Sequence, residues 1–134
     1  MKSTVFLFGE SEKGDFGIPL SCQSVSHLLE SLGNPPSESQ GIHFAIQALL
    51  YDKEILFCRV KEEGFSTKDY IKGISQIRKR HLAPSLQAVF IPGVGDERII
   101  EATMNVCNLS QSLLVLTEQD LYDYLTSKGS EFTY

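Results

Sequence analysis

Apolar residues along this chain follow two rhythms. Short runs rich in Val, Ile, Leu and Phe occupy residues 4–8, 55–60, 86–91 and 113–116, and they read as buried strands. Between them, apolar residues recur three and four positions apart, the spacing of one face of a helix. Cys22, Val25, Leu28, Leu29 and Leu32 predict a first helix, with Ser21 as its N-cap and Gly33, Asn34, Pro35 and Pro36 as its stop. Ser66 and Asp69 have the spacing of a capping box, opening a helix to about His81 with Tyr70, Ile74 and Ile77 inward. Ile99, Ile100, Thr103, Met104 and Cys107 mark the next helix. Thr117 and Asp120 repeat the capping-box spacing ahead of Leu121, Tyr124 and Leu125, with Gly129 ending that helix and residues 130–134 forming a tail.

One segment fits both rhythms. Across residues 39–51, Ile42, Ala45, Ile46, Leu49 and Leu50 make a helical stripe, while Ile42, Phe44, Ile46, Ala48 and Leu50 alternate as a strand. The strand reading needs a hairpin turned by Asp52 and Lys53, which lack the glycine that such turns favour. The balance tips towards a helix. Residues 9–20, with Gly9, Gly14, Gly17 and Pro19, read as a long loop.

Strands alternating with helices predict an α/β fold: a three-layer sandwich on a mainly parallel sheet of four or five strands, Rossmann-like or flavodoxin-like. At 134 residues the chain has the length of one such domain. The net charge of −5, with Arg78, Lys79 and Arg80 as the one basic run, leaves no footprint for nucleic acid or an anionic membrane. Cys22, Cys58 and Cys107 stand far apart and form no Cys-x-x-Cys pair, which fits a reducing, cytoplasmic setting better than a disulfide framework or a zinc site. Residues 1–8 do not have the form of a signal peptide, and no apolar run approaches the ~18–20 residues of a membrane span.

A parallel sheet would gather its strand-to-helix loops on one edge, where α/β sheets hold ligands. The loop residues Gly9, Glu10, Ser11, Gly93, Gly95, Asp96 and Thr117 are therefore the candidate ligand-binding set. Glycines allow close backbone approach and helix N-termini offer N–H groups to an anion, which points to an anionic small ligand such as a nucleotide. Glu10, Glu62, Glu63, Asp96, Glu97 and Glu118 fall on the same edge and would repel a bare phosphate. A Mg²⁺ ion held by Glu10 and Asp96 would reconcile the two, and ordinary helix capping by the acidic residues is the competing account.

The alternation of elements is similar to that of phosphorelay receivers, which need an acidic pair after the first strand and a Lys after the last. It also resembles a Toprim domain, which needs Glu and then Asp-x-Asp. Glu10 has no adjacent acidic partner, Thr117 is followed by Glu118, and Asp96 is followed by Glu97 and Arg98, so neither motif is present. P-loop and nucleophile-elbow motifs are absent as well. Two functions stay open: a ligand-binding domain, or a non-catalytic protein-interaction or dimerisation module, homo-oligomeric in the simplest case, working through a sheet edge or residues 39–60.

Overall fold

The computed structural model describes residues 3–126. Five strands form one sheet in the order β2-β3-β1-β4-β5, with β1 at Thr4–Gly9, β2 at Leu20–Cys22, β3 at Glu54–Arg59, β4 at Leu86–Phe90 and β5 at Leu113–Val115. β1, β3, β4 and β5 run parallel, and β2 pairs antiparallel with β3 at one edge. The helices are α1 (Val25–Leu32), α2 (Gly41–Leu50), α3 (Thr67–Lys79), α4 (Glu97–Ser110) and α5 (Glu118–Thr126).

Side chains alternate across each strand, and both sides of this sheet are covered. Val5, Leu7, Ile55, Phe57, Ala88, Phe90 and Val115 pack with α1, α2 and α5. Phe6, Phe8, Cys58, Val89 and Ile91 pack with α3 and α4 on the opposite face. This is the three-layer α/β sandwich expected from the pattern. The sheet grows leftward from β1 to β3 and rightward from β4 to β5, so the chain diverges between β1 and β4. Such a switch point is where open parallel sheets form a crevice at their strand C-termini.

Residues 39–51 resolve as the helix. No place exists for a strand there, because β1 and not residues 39–51 is the parallel neighbour of β3. The inward face is rotated from the expected stripe: Ile42, Phe44, Ala45 and Ala48 are buried, and Leu50 is 66% exposed. Three other expectations need correction. Cys22 belongs to β2, so α1 starts later and its N-cap is Ser24, whose hydroxyl accepts from His27 N–H at 3.1 Å, not Ser21. Ser66 makes no side-chain cap bond to α3; its hydroxyl and the Asp69 carboxylate instead accept from Glu62 N–H and Lys61 N–H in the preceding loop. Met104, grouped with the inward residues of α4, is exposed. The expected stop at Gly129 and the tail at 130–134 lie outside the described residues.

No helix among the described residues is long and apolar enough to cross a membrane. Cys22, Cys58 and Cys107 are all buried free thiols, and burial pushes Cys22 up to about 11 and Cys58 up to about 12, which holds both in the unreactive protonated form.

Candidate functional site

The four parallel strands deliver the expected loops to one edge, and the β1–β4 crevice lies between Gly9–Ser11 and Gly93–Asp96. At that crevice the chain supplies its own anion. Glu63, from the loop after β3, points its carboxylate at the N-terminus of α2: Oε1 accepts from Gly41 N–H at 2.9 Å and Oε2 from Gln40 N–H at 2.6 Å. Oε1 also accepts from Glu10 N–H at 3.1 Å. Glu10 answers with its own carboxylate, which accepts from Glu63 N–H at 2.9 Å. The backbone donors that would cradle a phosphate at this corner are therefore engaged by a side chain 53 residues away from Glu10 in sequence. Burial raises the Glu63 carboxyl, the three backbone bonds oppose the rise, and the neighbouring Glu10 charge adds to it.

This closure needs glycine on both sides. A Cβ on Gly9 would stand 2.7 Å from Gly41 Cα, and one on Gly41 would stand 2.6 Å from Gly9 Cα. With neither present, α2 meets the end of β1 backbone to backbone and reaches Glu63.

The junctions into α4 and α5 on this edge are likewise capped by side chains, whereas α3 has no side-chain cap. Asp96 is the N-cap of α4, accepting from Arg98 N–H at 2.8 Å and pairing with the Arg98 guanidinium at 3.0 Å. Those hydrogen bonds hold its carboxyl below the usual range. Thr117 and Asp120 form the expected capping box: the Thr117 hydroxyl accepts from Asp120 N–H at 3.1 Å, and the Asp120 carboxylate from Thr117 N–H at 3.2 Å. Ser11 is buried and its hydroxyl donates to Lys13 O. Gly93 and Gly95 differ from these. A Cβ on either would meet nothing within 4 Å, and Gly93 takes a φ of 78°, so this turn faces open space.

Among the described residues no three His, Cys, Asp or Glu side chains converge on a point that could hold a metal ion. Glu10 and Asp96, the expected Mg²⁺ pair, each accept from a backbone N–H, Glu10 from Glu63 in the loop after β3 and Asp96 from Arg98 in the first turn of α4. No known family, curated protein or solved structure matches this chain. The site must be read from its own chemistry.

Away from the strand edge, α2 and α5 leave a groove of about 370 Å³ lined by His43, Phe44, Tyr51, Leu121, Tyr122 and Leu125 among others. Its rim is apolar and open: Tyr51 is 47% and Tyr122 63% exposed, with Leu50 beside them on α2. Sequence reasoning found neither this groove nor the role of Glu63. The groove follows from how two helices separated by five other elements come together, and no local spacing reports that.

Proposed function

We propose that the protein is a cytoplasmic protein-interaction module whose contact surface is the α2–α5 groove. The observation that carries this reading is the exposure of large apolar side chains around one concave surface, which isolated monomers ordinarily avoid. The N-termini of α2 and α4 add to it, because Glu63 and Asp96 take backbone donors there that an anionic ligand would use. The nucleotide–Mg²⁺ reading retains one supporting feature, the open turn at Gly93 and Gly95.

The occupant best matched to the groove is a second copy of this chain. Beside the groove α5 carries Glu118, Asp120 and Asp123 and no basic residue. On the opposite layer, α3 carries Lys68, Lys72, Arg78 and Lys79, and Arg80 follows it. There Ile71 and Leu109, both exposed, flank a smaller hollow of about 210 Å³ between α3 and α4 that Arg78 also lines. An acidic apolar groove on one face thus complements a basic apolar surface on the other. Such a contact is heterologous and builds rings or open chains.

Sedimentation velocity tests it. The wild type is expected to associate with rising concentration, and less so at about 0.5 M salt, where surface charges are screened. Tyr122→Glu and Ile71→Glu, both at exposed positions, are each expected to remain monomeric alone. An equimolar mixture of the two should form dimers, since each variant retains the face that the other has lost. A wild type that stays monomeric throughout, or an Ile71→Glu variant that still dimerises, overturns the reading.

A further inference from the structure

A second concavity lies at the β2 end of the same strand edge, between α1, the loop after β1 and the last residues of β3. It encloses about 260 Å³, and Ile18, Pro19, Leu20, Leu32 and Phe57 give it apolar walls. Two charged side chains line it, Arg59 and Asp15. Arg59 ends β3 on the α1 side of the sheet, and the loop is built around it. Its Nη1 donates to Gly14 O at 2.7 Å and its Nη2 to Glu12 O at 3.4 Å, while the Phe16 ring stacks on the guanidinium at 4.2 Å. The loop itself is pinned: Glu12 and Lys13 N–H both donate to Leu32 O, and Gly17 N–H donates to Arg59 O.

Two features of Arg59 are unusual. No carboxylate of a described residue pairs with it; among those residues the ion pair formed is Arg98–Asp96. Its Nε is also buried without a hydrogen-bond partner, the one side-chain polar atom among the described residues in that condition. Buried donors are nearly always paired, and a partly buried guanidinium usually finds an anion. Both deficits belong to a residue that lines this cavity.

We infer that this cavity binds a small carboxylate with a branched aliphatic body, the carboxylate supplying the anion that Arg59 lacks and the aliphatic part filling the apolar walls. The volume lies just under the range of drug-sized pockets, which suits a ligand of few carbon atoms. Asp15 offers an acceptor beside Arg59, so the same carboxylate chemistry could belong to a simple acid or to an apolar α-amino acid. The inference is independent of the α2–α5 groove, which lies elsewhere and takes a different kind of partner.

The arginine Nε–H signal in a ¹H–¹⁵N NMR spectrum reads the site directly. Titration with 4-methylpentanoate and, separately, with leucine is expected to shift the Arg59 Nε–H and the Gly14 amide saturably, with a Kd of about 1 mM or below for at least one of them. The uncharged 4-methylpentan-1-ol should leave both signals in place. Tighter binding of leucine, lost in Asp15→Asn, assigns the amino acid; tighter binding of 4-methylpentanoate, unchanged in Asp15→Asn, assigns the simple acid. Ser31→Trp, which fills the cavity from α1 and leaves Arg59 itself in the sequence, is expected to abolish the ligand-induced shifts while the amide spectrum remains that of a folded protein. No saturable shift with either acid, an equal shift with the alcohol, or shifts that survive Ser31→Trp would overturn the inference.

Discussion

Gly9→Ala is expected to lower stability by about 3 kcal/mol, well beyond the cost of an ordinary surface substitution. The added methyl would stand 2.7 Å from Gly41 Cα, 3.0 Å from Glu63 Oε1 and 3.2 Å from Phe57 Cζ. The nearest of these is backbone, so relief requires the start of α2 to move off β1. That movement lengthens the bonds from Gln40 and Gly41 N–H to Glu63, and the loss of capping adds to the overpacking. For a domain of this size the change corresponds to a fall in Tm of roughly 10 °C. Gly41→Ala meets the same contact from the helix side, although alanine's better helix propensity recovers about 1 kcal/mol. The double variant should lose less than the sum, because one displacement relieves both clashes. Thermal melts of the three variants followed by circular dichroism check this. An unchanged Tm for Gly9→Ala would mean that α2 does not seat on β1 as described.

Glu63→Ala is the second large effect expected, about 2–3 kcal/mol, since three backbone donors lose their acceptor together. Glu63→Gln keeps the volume but can accept through only one of its two terminal atoms, so its loss should be smaller. The pH dependence separates the charge from the hydrogen bonds. Burial raises the folded-state carboxyl above its unfolded value, so the folded protein holds this proton more tightly than the unfolded chain does. The contribution of that proton to stability is therefore complete below the unfolded pKa and is lost as pH rises through the raised folded value. Urea unfolding of the wild type and Glu63→Gln across pH 4 to 7 should show the wild type's advantage shrinking as pH rises. An advantage that grows with pH would mean that the hydrogen bonds outweigh burial and that the folded carboxyl is lowered instead.

The elements legible in the sequence are those whose burial is set by their own neighbours. β1 and β4 are buried over most of their length and β3 over half of it, all three appear as apolar runs, and α3, α4 and α5 keep apolar faces at helical spacing. β2 was hidden because it has three residues, two of them exposed, and its one buried member, Cys22, stands at helical spacing from Val25. It forms only because the loop after β1 wraps Arg59 and brings Leu20 beside Phe57. The rotation of α2 has a similar origin: its inward face is set by contact with Gly9 and by Glu63, and its own composition is apolar nearly all round.

For the strand edge, sequence reasoning placed the right loops together and identified its acidic character. By sequence alone Glu63 is one of six repelling carboxylates, whereas the fold uses its carboxylate to satisfy donors 22, 23 and 53 residues away. Local capping, as at Thr117 and Asp120, can be read from spacing; capping across the fold cannot. Arg59 was hidden for the same reason, since nothing near it in sequence distinguishes an arginine that closes a strand from one that lies beside a cavity.

On the β1 side of the crevice between β1 and β4, the carboxylates of Glu10 and Glu63 hold the backbone donors that a phosphate would use. A thermal-shift series with mono-, di- and triphosphate nucleotides, each with and without Mg²⁺, tests this arrangement most directly, because a ligand that binds the native state raises its apparent stability. No nucleotide-dependent rise in Tm is expected under either condition. A Mg²⁺-dependent rise that disappears in both Glu10→Gln and Asp96→Asn would contradict it.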